Sequence, residues 1–330
     1  MPKENQPKYV SSIEKTSTGD RARDIYNRFG IFIILATMIL IMVILTPNFL
    51  TYKNITNVIR QISFIAIIGF GATFVIITGG IDLSAGSVVG VVSVITASFA
   101  HPGEYPLIVP ILIGVAVGLV FGLINGLLIA RLSVPPFIAT LGTMTSGRGF
   151  AMLFSSGRPV NDLSAEYNFL GAGELFGIPF PIILLLAIAV IMYIVLDHTR
   201  FGRHVLAVGG NEQAAKISGI GISRVKVMVY SLAGALAAFA GILMTSRISS
   251  GQPNLGIGYE MDAVAASVIG GVSLKGGVGT IWGTLCGALV IGIINNGMDL
   301  MGVNAYWQQI VKGLIIVLAV ILDQLKTRRS

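Results

Sequence analysis

The chain has 330 residues, 54% of them hydrophobic and 11% charged, with a formal net charge of +7. A mean hydropathy of +0.84 and repeated apolar runs near 20 residues exclude an ordinary soluble domain, in which about a quarter of the residues are charged. The basic excess does not indicate nucleic acid, because Lys and Arg fall at the ends of apolar runs rather than on one face, and the single cysteine, Cys286, excludes an intrachain disulfide and a thiolate metal site.

Residues 1–29 are polar, with six Lys/Arg against four Asp/Glu. They are too acidic for a signal n-region, and the apolar run after them ends in Thr46-Pro47-Asn48 without a small-residue cleavage pattern. A cytoplasmic tail and a retained first span are expected. Ten membrane segments are predicted: 30–47, 62–80, 85–100, 107–130, 136–154, 178–196, 227–247, 263–272, 280–298 and 306–322. Segment 263–272 is short enough to re-enter rather than span. Residues 51–61 are amphipathic and are expected at the interface. The predicted fold is an all-α integral membrane protein, with a transmembrane domain over 30–325 between tails 1–29 and 326–330.

With the N-terminus inside, the inside regions hold 16 of the 22 Lys/Arg and the outside regions four. This asymmetry predicts that both termini are cytoplasmic. The largest outside loop, 155–177, is acidic, with Asp162, Glu166 and Glu174 against Arg158. In span 107–130, Gly114, Gly118, Gly122 and Gly126 recur every fourth residue and predict a groove for a second backbone; Gly279, Gly283 and Gly287 repeat the device.

The long basic interruption Asp197 to Lys226 is predicted to fold one short helix in its middle. Asn211 is a plausible N-cap, Glu212 suits the first turn, and Gly219 can close the helix in a left-handed cap. About eight residues are too few to be stable alone. The helix therefore needs a surface to dock on. Ala214 and Ala215 leave it a face almost without side chains, which reads as a plug for a partner protein on the cytoplasmic side.

Two stretches resemble each other, Gly79 to Gly86 (GGIDLSAG) and Gly270 to Gly277 (GGVSLKGG), as do Gly122 to Asn125 and Gly292 to Asn295. Their offsets, 191 and 170, disagree, so no inverted repeat follows. The chain contains no Gly-Lys dipeptide, hence no phosphate-cradling loop, and no HExxH. No catalytic, metal or cofactor site is expected, and the chain does not read as an enzyme. Mid-span carboxylates that an ion-coupled carrier would use are poorly represented. Arg148 is the only charge well inside a span, read as an interhelical tether or a pathway residue. Lys312 is expected to snorkel outward beside Tyr306 and Trp307. The other polar groups in spans are mostly neutral, among them Thr140, Thr143, Thr145, Ser146, Asn125, Asn295 and Asn296. Such groups suit a neutral polyol and also tie helices together, at about 0.6 kcal/mol each. The candidate translocation path is Asp82, Ser84, Asn125, Arg148 and Asn295.

Thr199-Arg200-Phe201-Gly202-Arg203, followed by Gly209 to Ile220 (GGNEQAAKISGI), resembles the coupling loop of sugar permeases in binding-protein-dependent ABC importers. Three more stretches carry the likeness: Thr78 to Gly86, Gly258 to Ala266 running on to Gly270-Gly271, and Gly302 to Gln308. Together they cover the ribose, xylose and galactoside permease family. The resemblance implies a ten-helix importer fold and two permease copies, expected as a homodimer. It also implies a separate cytoplasmic ATPase that holds ATP and magnesium, and a periplasmic or lipid-anchored protein that delivers a monosaccharide, with loop 155–177 as a contact. It places coupling on Gly210, Glu212, Ala214, Ala215 and Gly219. The glycine-loop role falls on Asp82, Ser84, Gly86, Gly270, Gly271 and Gly277, beside Gly79 and Gly80. The alternatives are a branched-chain amino acid permease, which would need more charged lining, an ion-coupled or facilitative sugar carrier, and a membrane scaffold.

Overall fold

The computed structural model describes residues 33–327, so the tail expected at 1–29 lies outside the described residues. These form thirteen α-helices and one two-residue hairpin. In chain order they are α1 (Ile33–Leu45), α2 (Tyr52–Ile77), α3 (Ala85–Ser98), α4 (Ile108–Ala130), α5 (Pro136–Phe154) and α6 (Ala165–Ala172). The hairpin β1 (Glu174–Leu175) and β2 (Ile178–Pro179) leads into α7 (Phe180–Tyr193), which continues as a π-turn over Ile194–His198. Then come α8 (Arg200–Gly210), α9 (Glu212–Ile217), α10 (Ile222–Ile248), α11 (Tyr259–Ile269), α12 (Ile281–Leu300) and α13 (Ala305–Thr327).

Each of the ten predicted segments holds a helix. Five stretches are long and apolar enough to cross a membrane: α2, α4, Phe180–His198, α10 and α12. α5 has the length, 19 residues, but Thr140, Thr143, Thr145, Ser146 and Arg148 dilute its hydropathy. The amphipathic stretch 51–61 is not a separate element. Thr51 caps it through its hydroxyl, which accepts from the Asn54 amide at 3.4 Å, and it runs on as the first turns of α2.

α2 is the central pillar. Every residue from Ile62 to Ile77 is buried, as expected for a helix that is apolar all round. It contacts α7, α10, α11 and α12. The glycine groove of α4 takes α10. A Cβ on Gly118 would overlap the Gly234 carbonyl, and one on Gly126 would lie 2.7 Å from Val227 Cα. On α12, a Cβ on Gly283 or Gly287 would strike the backbone of α11 at Gly270 or Ala266. Hydroxyls and amides tie the same helices. Thr73 meets Thr284 at 2.5 Å, Thr245 donates to Ser93 at 2.7 Å, and Asn296 donates to Asn54 at 2.8 Å.

Gly118→Ala is expected to lower the unfolding temperature of the detergent-purified protein, because overpacking costs about 1–3 kcal/mol. Gly313→Ala, whose Cβ meets nothing within 4 Å, is expected to leave it unchanged. Equal shifts in a thermal unfolding assay would refute the close α4–α10 contact.

Candidate functional site: the basic loop and its buried polar chain

The interruption 197–226 contains two helices rather than one. α8 starts at Thr199, whose hydroxyl accepts from the Gly202 amide at 3.1 Å, and it buries Gly202, Val205 and Val208. Asn211 ends α8 and caps α9, with Oδ1 accepting from the Ala214 amide at 2.9 Å. After Ile217 the chain turns at Gly219, φ +82°, and the Ile220 amide returns to the Ala215 carbonyl at 3.0 Å. Glu212 Oε2 meets Lys226 Nζ at 2.8 Å, so α9 is also pinned to α10. These contacts supply the order that a six-residue helix lacks by itself.

Ala215 does not belong to the outer face. It is 4% exposed and packs into the chain's own core, because the turn of the helix that caps on Asn211 points it at the bundle. Ala214 is exposed, and the side chain that protrudes is Ile217, 83% exposed. Ile217 was missed. Its signal in the sequence is an aliphatic residue opposite Ala215 in a helix with only one buried position.

Gly209 connects this loop to the pillar. It packs directly on the Ile77 carbonyl at the C-terminal end of α2. Gly277 donates its amide to the same oxygen at 2.9 Å. A Cβ on Gly277 would lie 2.8 Å from Gly210 Cα. The end of α2, the end of α8 and the loop 270–277 therefore meet at one carbonyl. Gly79, Gly271 and Gly277 all have positive φ, at 75°, 90° and 76°, and of the two look-alike loops it is 270–277 that reaches Gly209. Gly80 leaves room for the Tyr230 hydroxyl and Gly86 for the Glu260 carboxylate, while Gly270 faces Gly283.

Beyond Gly80 runs a chain of buried hydrogen bonds. Asp82 Oδ1 accepts from the Ser84 amide at 2.8 Å and from its hydroxyl at 2.6 Å. Ser84 Oγ accepts from Asn125 Nδ2 at 2.8 Å, and Asn125 Oδ1 accepts from Thr143 Oγ1 at 2.7 Å. Burial pushes the Asp82 carboxyl above its ordinary value, and the bonds from Ser84 pull against that. Three of the five path candidates, Asp82, Ser84 and Asn125, are thus brought together with Thr143.

The other two stand apart. Arg148 donates to the Leu255 carbonyl at 2.8 Å and lies against Gly90, one helical turn from the gap at Gly86 that holds Glu260. Asn295 is buried on α12 and lies by the Asp262 carboxylate rather than with this chain of bonds. Lys312 does not simply snorkel. It pairs with the buried Asp262 at 3.0 Å and ties α13 to α11, since a carboxylate on that inner face needs a cation. In the acidic loop, Glu174 is engaged by Arg60 at 2.9 Å. Among the described residues no group of three His, Cys, Asp or Glu is placed to hold a metal ion.

Residues 54–320 match the family described as branched-chain amino acid transport system / permease component. The chain is 48% identical to the ribose import permease of Bacillus subtilis, over 92% of this chain and 94% of that protein. It is 40% identical to the galactose/methyl galactoside import permease of Haemophilus influenzae, over 96% and 98%. It is 38% identical to the L-arabinose transport system permease of Escherichia coli, over 92% of each. No solved structure matches the chain. A match over most of the chain, at these identities and with several apolar membrane-length helices, means that this multi-pass protein of the bacterial cytoplasmic membrane belongs to that permease family, beside its sugar import permeases.

Proposed function

We propose that the chain is the membrane-spanning subunit of an ATP-driven importer for a monosaccharide of the ribose, galactose or arabinose type. The observation that carries this is the near full-length identity to the ribose import permease. A branched-chain amino acid is less favoured. A zwitterion calls for charged lining, whereas the connected chain Ser84–Asn125–Thr143 is neutral apart from Asp82 at its end.

In this reading all ten predicted segments cross or enter the membrane and both termini are cytoplasmic. A separate ATPase, which holds ATP and magnesium, docks on α9 through Ile217, Ala214 and Gln213. Its movement passes from α9 and α8 through Gly209 to the Ile77 carbonyl, and from there to the loops at Asp82 and Gly277. The junction is all backbone, so it has little slack in which to lose a displacement. A second copy covers the exposed face of α5. That face carries Gly142, Thr145, Ser146 and Gly149, which gain nothing from contact with lipid tails and suit the wall of a sugar path. A solute-binding protein delivers the sugar at the outer side, where Asp162 and Glu166 remain available.

Uptake of labelled ribose, galactose and arabinose into vesicles that contain the permease, its ATPase and its binding protein tests the assignment. ATP-dependent uptake of one of them is expected. Brisk saturable flux through the permease alone, down a sugar gradient, would refute it. Ile217→Asp is expected to lower ATP-driven uptake at least tenfold at unchanged membrane level, as loss of an interface anchor does; full uptake would remove α9 as the docking element. Gly209→Ala, whose methyl has no room at the Ile77 carbonyl, is expected to keep the ATPase bound and hydrolysing while uptake falls. Parallel loss of hydrolysis and uptake would argue against transmission through that junction.

A further inference from the structure

We infer that the groove between the α4–α5 turn, α9 and the start of α10 is a second docking surface, which receives an acidic segment of the ATPase carrying an apolar residue. The inference rests on the reading that the ATPase binds at this end of the molecule.

The groove has a volume of about 750 Å³. Its floor is apolar, from Ile129, Val134 and Ile220, and Lys216 and Arg224 stand on its wall. The one carboxylate in it, Glu212, is already held by Lys226. Arg131, Lys216 and Arg224 are exposed and form no ion pair among the described residues, whose pairs use Arg60, Lys226 and Lys312. The surplus on this surface is therefore positive, and an acidic occupant complements it.

The shape of the turn adds to this. Leu132 is 68% exposed. Ser133 adopts φ +54°, a conformation uncommon outside glycine. The Leu132 and Val134 amides are bonded back to Leu127 and Leu128 at 3.4 and 3.1 Å. The turn is thus fixed, and it presents a leucine in a region that the charge asymmetry places inside the cell. Leu132, next to Ser133 of the groove, and Ile217, next to its Lys216, are two exposed apolar residues adjoining the cationic wall. Such an arrangement suits a protein partner, where apolar and Arg anchors carry the affinity. An anionic phospholipid is the other candidate, and the experiment below separates the two.

Complexes of permease and ATPase, purified through a tag on the permease, test this with Arg224→Glu, Leu132→Asn and Ile217→Asp. Retained ATPase and bound anionic phospholipid are both quantified, and each permease is first checked for an unchanged unfolding temperature. Lys216→Glu replaces any variant that fails this check. The expected result is that all three substitutions reduce retained ATPase at least tenfold. The Arg224→Glu loss should also be partly restored when the ATPase carries a compensating Lys in its acidic segment. Release by Ile217→Asp alone would overturn the groove and leave the docking of α9 standing. Retention in all three would overturn both. Loss of phospholipid from Arg224→Glu with the ATPase still bound would assign the groove to lipid and overturn the inference.

Discussion

The carbonyl oxygen of Ile77 is the point on which the arrangement turns. It is the last residue of α2, and the final carbonyls of a helix have no partner within it. The chain supplies partners for three of these carbonyls in turn. Gly80 bonds back to Val75 at 3.0 Å, Gly79 to Ile76 at 2.8 Å, and Gly277 reaches across from the far loop to Ile77 at 2.9 Å. A buried carbonyl left without its bond costs about 1–3 kcal/mol, and Ile77 is fully buried by the surrounding protein. Satisfying this one therefore fixes the distant loop 270–277 against the pillar. Gly209 then seals the other side of the same oxygen. A surface helix pair and a buried helix end share one contact, and that contact accepts no side chain.

The same economy governs the charges and polar groups within the helical bundle. Asp262 has Lys312, Glu260 lies in the notch left by Gly86, and Arg148 holds a loop carbonyl. None of these groups is stranded in a lipid-facing position, where each would be costly. They fasten the short helix α11 to α3, α5 and α13. The chain Asp82–Ser84–Asn125–Thr143 differs, because beyond Asp82 it joins a loop to α4 and α5 through neutral hydroxyl and amide groups.

Much of this was legible from the chain because membrane physics writes itself into sequence. A bilayer core admits mainly apolar side chains, which marks the segments, and the spacing of four glycines marked the face of α4 that α10 fills. Asn211, Glu212 and Gly219 sit at the two ends of α9 as cap chemistry requires, since capping is a local matter of which amide lies within reach. Two features were not legible. α8 was missed because its buried Gly202, Val205 and Val208 are too few to announce a helix without the surface beneath them. That Ala215 faces the core and Ile217 the outside was hidden because sequence gives the angle between two residues on a helix and not which way the helix is turned.

By itself, then, the amino-acid order settled the helical segments, the caps of α9, the basic loop 197–226 and the glycine-lined grooves, all of which depend on neighbours a few residues apart. Tertiary packing alone decided that Gly209, Gly277 and Ile77 meet, that Lys312 has a partner, and that Asp82, Ser84, Asn125 and Thr143 share a line of hydrogen bonds. Apart from the local Asp82–Ser84 bonds, those contacts join residues 18 to 200 positions apart, and no local preference encodes which distant backbone will come close enough to need a glycine.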